Sequence, residues 1–320
     1  MNKKVVVLGG GTGLSFLLRG LKQFPVDITA IVSVCDDGRS TGRLRKQFNL
    51  PAMGDIRQVL ISLSETEPTV GKLLNYRFKT TSDLNGHPVG NLLLTAAAEM
   101  TGSMNNGVRT LSKVLDLKGK VVPFSEDNLT LMGEMHDGSI VEGEHKITQS
   151  HKKIKRVFYK DEPKVSKEAI KAIYNADLIV LSMGSVFTSV IPNLLGKELI
   201  EAIDEAKAPI MYCCNMFTQP GETDDLTASD HINVFNSYLG EKKISVGIFN
   251  KEKMDPVLVE KYSTEEQKSP VILDRQKLKN IEVIADDLVT EYDGAYKHDT
   301  LRLAFLIFEY LMRKEKWKNG

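Results

Sequence analysis

Phosphate binding is the first chemistry these residue types offer. Val5-Val6-Val7-Leu8 runs into Gly9-Gly10-Gly11-Thr12-Gly13-Leu14-Ser15, and an amphipathic pattern continues through Leu21. Glycines let a backbone approach an anion closely, and a helix N-terminus presents free N–H groups and the positive end of its dipole. A strand, a glycine loop and a helix in that order suit a phosphate cradle; the bland alternative is a tight turn without a ligand. Leu14 stands where a G-x-G-x-x-G motif needs its third glycine, and no Lys-Ser/Thr pair makes a Walker loop. The candidate contacts are Gly10, Gly11, Thr12 and Gly13.

A second cluster follows at Cys35-Asp36-Asp37-Gly38-Arg39-Ser40-Thr41-Gly42-Arg43. Asp36 stands roughly where a dinucleotide-binding domain keeps its ribose-binding acid. Ser40, Thr41 and Arg43 are the types that hold another anion. Asp36 and Asp37 could share a divalent cation such as Mg²⁺ through oxygen ligands. The competing reading is a turn cluster, since Asp, Gly and Ser are ordinary turn residues.

Four more polar stretches open or precede helices. Asp55 is a natural cap whether or not Arg57 meets a phosphate. Gly86-His87-Pro88-Val89-Gly90-Asn91 offers Asn91, with His87 more often structural in such a turn. Ser182-Met183-Gly184-Ser185 with Thr188 forms a small-residue loop able to donate to a second phosphate. Asn215, Thr218 and Gln219 carry the amide and hydroxyl groups that bind ribose or sugar hydroxyls. The histidines show no HExxH or paired-ligand spacing and no G-x-S-x-G elbow occurs, so neither zinc nor a serine nucleophile is expected. Cys213 and Cys214, adjacent at the end of an apolar run, read as packing.

The elements that must position these groups are short β-branched runs alternating with helical patterns. Strands are expected at 5–8, 28–34, 178–181, 209–213, 245–249 and 281–284, nearly continuous in apolar residues as in a sheet covered on both faces. Residues 55–117 read as mostly helical, 192–206 as one amphipathic helix and 301–313 as the last helix. Residues 121–160 read as antiparallel ribbons turning at Asp137-Gly138. The expected fold is α/β: a mainly parallel sheet with helices on both faces and an antiparallel β insertion, forming one domain over 1–320. Ligands of such sheets bind beyond the strands' carboxyl ends, where four polar loops could converge.

The chain has 320 residues, 42 basic and 42 acidic, and is 42% hydrophobic. That supports a substantial core, and zero net charge lacks the basic excess of a nucleic-acid binder. Three cysteines with an adjacent pair give no disulfide framework, which points to a cytoplasmic protein. No apolar window is long enough for a membrane helix. Arg39, Arg43, Arg45 and Arg57 lie close together beside the glycine-rich loops and are expected to make one crevice positive.

The combined motifs resemble the YvcK/CofD-like family, specifically its YvcK branch, the gluconeogenesis factors. They are GGGTGLS at 9–15, CDDGRSTGRLR at 35–45, PAMGDIRQ at 51–58, GHPVGNLLL at 86–94, LSMGSVFTSVIPNLL at 181–195 and CNMFTQPGETD at 214–224. The resemblance implies a Rossmann-like fold binding UDP-N-acetylglucosamine. It also implies a regulator of carbon flow into cell-wall precursors and of cell shape during gluconeogenic growth, with glucosamine-6-phosphate synthase as its partner. A homo-oligomer is left open, and no cofactor is required beyond the Mg²⁺ already considered. The CofD branch implies a Mg²⁺-dependent transferase with a nucleotide-linked donor, against which the TQPGETD stretch argues. An NAD(P)-binding oxidoreductase is the third alternative, disfavoured by the missing glycine. By resemblance Gly10–Gly13 fall in the nucleotide loop and Asp36 and Asp37 in the acidic pair. The resemblance also implies Tyr262 and Lys297 as candidate UDP-sugar contacts, one able to stack on uracil and the other to neutralise phosphate. Lys297 stands where arginine is expected, keeping the charge and losing the bidentate fork. Thr300 is a phosphosite candidate competing with a plain cap.

Overall fold

The computed structural model describes residues 2–65, 67–292 and 295–316. β1 (Lys3–Gly9) leads through the glycine loop into α1 (Gly11–Leu21), β2 (Val26–Val32) and α2 (Arg39–Phe48). Helices α3 (Gly54–Leu63), α4 (Glu67–Asn75), α5 (Val89–Thr101) and α6 (Met104–Val114) precede β3 (Lys120–Pro123). The insertion comprises β4 (Leu131–Met135), β5 (Ile140–Glu142), α7 (Glu144–Ser150) and β6 (Ile154–Tyr159). Then come α8 (Lys167–Tyr174), β7 (Leu178–Leu181), α9 (Lys197–Glu205), β8 (Ile210–Cys213), α10 (Ala228–Tyr238) and β9 (Ile244–Asn250). The chain closes with α11 (Pro256–Glu266), β10 (Glu282–Asp286), the hairpin β11 (Val289–Tyr292) and β12 (Ala295–His298), and α12 (Thr300–Lys316).

The main sheet runs β10-β9-β8-β7-β1-β2-β3, every neighbouring pair parallel. Strand order therefore proceeds outward from β1 in one direction through β3, then reverses and proceeds from β7 through β10. This is the Rossmann-like arrangement, with its crevice where β1 and β7 lie side by side. Val5 pairs Ile28 on one side and Leu178 on the other; Leu8 pairs Ile31 and Leu181. All four β7 residues are fully buried, the reason these strands read as unbroken apolar runs. Helix α1 packs against α3 and α12, and Gly20 of α1 leaves room for the Thr300 carbonyl that a Cβ would strike.

Three expectations are corrected. Residues 121–123, expected in the ribbon region, belong to the main sheet's edge strand β3 beside β2. The expected ribbon at 139–147 keeps only β5 before turning into α7. Gly143 takes φ +100° and Asp37, distant in sequence, accepts the His145 N–H, so a tertiary cap starts a helix that the local pattern does not announce. The helix expected over 192–206 is broken: a π turn at Val186–Val190 and a 3₁₀ turn at Ile191–Leu194 precede α9. There the Asn193 amide donates to the Gly9 carbonyl at 3.2 Å, tying the turn to the end of β1. Among the described residues no helix is long and apolar enough to cross a membrane.

Candidate functional site

The glycine loop adopts its shape because other loops press on it. Gly10 is extended and Gly11 takes φ +59°, which favours glycine. A Cβ on Gly10 would meet Asp55 Oδ2 and Ser33 Oγ at 2.5 Å each; one on Gly13 would meet the Met183 carbonyl at 2.5 Å and the Gly184 nitrogen at 2.7 Å. The loops after β1 and β7 thus touch backbone to backbone at the strand-order reversal. Thr12 stays exposed in the first turn of α1.

Asp55 was expected to cap its own helix. Instead α3 starts from Met53 without a side-chain cap, and the Asp55 carboxylate crosses to accept the Gly11 N–H and the Ser33 hydroxyl. Burial first, then the nearby charge of Asp36, lifts its pKa to about 7. Asp36 accepts the Gly38 N–H at 2.9 Å and lies against Gly54, which Thr41 Oγ1 also closely approaches. Asp37 holds α7 through the His145 N–H at 2.8 Å. Glu144, at the start of α7, is lifted to about 8 by burial and then by Asp36, Asp55 and Asp37. Four carboxyl groups therefore act on one another beside the glycine loop.

Three of the four arginines are tied to the protein's own acceptors. Arg45 is buried and donates to the Cys35, Asp36 and Leu129 carbonyls and to Asn128 Oδ1 at 2.9 Å. Arg43 donates to the Asp83 and Asn85 carbonyls at 3.3 and 2.5 Å. Arg57 is buried and donates to Asn91 Oδ1 at 2.8 Å; the Asn91 amide donates to Ser40 Oγ at 3.3 Å; Ser40 Oγ lies 2.7 Å from His87 Nδ1. Burial, with Arg43 and Arg77 nearby, lowers the His87 pKa. Ser40, Arg43 and Asn91 are thus bound into the protein's own network.

The β7 and β8 loops are similarly joined. Asn215 donates to the Gly184 carbonyl at 2.9 Å and accepts the Tyr212 hydroxyl at 3.1 Å. Thr218 exchanges hydrogen bonds with Ser269, and the Gln219 N–H donates to Thr223 Oγ1 at 2.8 Å. Ser185 and Thr188 turn their hydroxyls onto Glu222, a buried carboxylate that the residue types of the loop did not single out.

Tyr262 and Lys297 lie on a separate cluster beside the β8 loop. The Tyr262 ring packs 4.7 Å from Phe217 and 6.2 Å from Tyr296, centroid to centroid, and its hydroxyl accepts the Tyr296 N–H at 2.9 Å. Lys297 is exposed on β12 opposite Thr290. His298 donates from Nε2 to the Cys214 carbonyl at 3.3 Å, fastening the hairpin to the end of β8, and burial lowers its pKa to about 4. The cap at α12 is Asp299, which accepts the Arg302 N–H at 2.8 Å, not Thr300.

The structure therefore gathers Gly10–Gly13, Asp36, Gly184 and Asn215 at the β1/β7 crevice and adds Asp55, Glu144 and Glu222. Tertiary packing brings Asp55 and Glu144 near each other and sets Glu222 on the adjoining β7 loop. Among the described residues no group of three or more His, Cys, Asp or Glu side chains is arranged to hold a metal.

Against that geometry, the family model described as 2-phospho-L-lactate transferase CofD matches residues 5–289. The chain belongs to the CofD/YvcK family. A gluconeogenesis factor of Halalkalibacterium halodurans is 46% identical over 310 residues, covering 96% of each chain. The gluconeogenesis factor of Bacillus subtilis is 44% identical, covering 96% of this chain and 98% of its own. An X-ray crystal structure of a Bacillus halodurans protein superposes with a TM-score of 0.92 at 45% identity, covering 96% of this chain and all of that one. The parallel sheet with its small antiparallel insertion is thus the family's fold.

Proposed function

We propose that this protein is a cytoplasmic nucleotide-sugar-binding regulator whose ligand is UDP-N-acetylglucosamine and whose output is carbon flow into cell-wall precursors, with glucosamine-6-phosphate synthase as the partner it acts on. The observation that carries this reading is the meeting of the β1, β7 and β8 loops at the strand-order reversal, where open α/β sheets bind their ligands. The exposed Thr12 in the first turn of α1 suits a phosphate. The Phe217, Tyr262 and Tyr296 cluster beside the β8 loop offers an aromatic wall for a base. Similarity to gluconeogenesis factors over almost the whole chain supports the regulatory role.

Mg²⁺ fits in one way. Asp37 is committed to α7, which leaves Asp36 and Asp55, and one or two carboxylates plus ligand phosphates are a usual Mg²⁺ environment. When bound there the ion would neutralise the carboxylates and draw a diphosphate onto them. The same pair suits the second reading, a Mg²⁺-dependent transferase with a nucleotide-linked donor; the family model's description as a transferase supports the reaction class alone.

Calorimetric titration with UDP-N-acetylglucosamine, GDP and NAD, each with and without Mg²⁺, separates the readings. Micromolar binding of the UDP-sugar supports the regulator. Binding of GDP alone, dependent on Mg²⁺, supports the transferase, and binding of NAD alone overturns both.

A further inference from the structure

After β7, the donors that could receive a ligand anion are already taken. Glu222 reaches across from the β8 loop: one carboxylate oxygen accepts the Ser185 hydroxyl at 2.5 Å and the Phe187 N–H at 3.2 Å. The other oxygen accepts the Thr188 hydroxyl at 3.4 Å. The Ser185 and Thr188 oxygens lie 2.6 Å apart, and Ser185 Oγ also accepts the Thr188 N–H, so the donors form one compact set. Glu222 is 7% exposed, and burial raises its pKa against these hydrogen bonds. A nest of hydroxyl and amide donors that satisfies a carboxylate has the chemistry to satisfy a phosphate oxygen. It adjoins the glycine loop, because Gly184 lies against the Gly10 carbonyl and Gly13 against Met183.

We propose that Glu222 is a specificity-determining residue: its carboxylate occupies the β7 loop in place of a second anionic group, so the crevice rejects ligands that carry an extra phosphate there. This deepens the nucleotide-sugar reading and rests on it for the identity of the accepted ligand. A UDP-sugar ends in a neutral ring, whereas UTP adds charge beyond the diphosphate. Glu222 repels that added charge and already holds the donors that would otherwise bind it.

The test is calorimetric titration of the full chain with inorganic phosphate, in wild type, Glu222→Ala and Glu222→Gln, with folding checked by circular dichroism. Alanine empties the nest, and glutamine keeps its volume while removing the charge, so glutamine serves if the alanine variant does not fold. The expected result is phosphate affinity raised about tenfold or more, with the gain lost when Ser185→Ala is added. No gain, or a gain that survives Ser185→Ala, overturns the proposal. UTP and UDP-N-acetylglucosamine are titrated in parallel, and the variants are expected to shift selectivity toward UTP. If the wild type binds no UDP-sugar, the nucleotide-sugar reading falls while the phosphate result still decides the role of Glu222.

Discussion

Asp55 and Glu144 carry the sharpest consequence at the scale of single residues. Their folded pKa values stand near 7 and 8, against 3.8 and 4.5 for unperturbed groups. A raised carboxyl pKa means that the folded state holds the proton more tightly. The resulting stability is full below about pH 4 and is lost as pH rises through 7 to 8. Thermal melting of the ligand-free protein should therefore show a falling Tm between pH 5 and 8.5. Glu144→Gln should flatten that slope and raise Tm at pH 8.5; a profile as steep as that of wild type would refute the assignment. Asn91 makes a different prediction. It satisfies the buried Arg57 and orients Ser40 toward His87, so Asn91→Ala strands a buried guanidinium. The expected cost is about 2–3 kcal/mol, read from urea denaturation.

At the scale of elements, the insertion braces the crevice. Asp37 caps α7 at one side; at the other, the Ile154 N–H donates to the Gly221 carbonyl and the Val157 N–H to the Tyr238 hydroxyl, both at 2.9 Å. Losing the cap through Asp37→Ala should cost about 1 kcal/mol and speed hydrogen exchange across 144–150 while β4 and β6 keep their protection. Equal acceleration in β4 would mean that Asp37 holds the whole insertion instead. Element type was legible wherever burial wrote itself into composition: β1, β2, β7, β8, β9 and β10 all coincide with apolar runs. It was illegible where a distant group decides. α7 begins because of a carboxylate from the β2 loop, and the turns at 186–194 bend toward the Gly9 carbonyl through Asn193.

At the scale of the whole molecule, zero net charge conceals a gathering of acidic groups beside the glycine loop. Arg43 and Arg45 hold loop carbonyls and Arg57 holds Asn91, while carboxyl groups from the loop after β2, from α3 and from α7 lie close together. A phosphorylated ligand must offset that field, so its binding should strengthen with Mg²⁺ and stabilise the fold as a unit. UDP-N-acetylglucosamine at about 100 times its Kd should add about 2.7 kcal/mol to unfolding, visible as a raised Tm. No shift at saturating ligand would contradict the proposed function. By itself the sequence determined the α/β class, the order of the parallel strands' apolar runs and the glycine loop, because local backbone geometry and two-sided burial constrain residue type position by position. Tertiary structure alone decided which side chains remain available to a ligand. Ser185, Thr188, Ser40 and Arg43 all have binding chemistry, but hydrogen-bond donors are satisfied by whatever acceptor folding brings nearest. Here those acceptors are Glu222, His87 and loop carbonyls, distant in the chain.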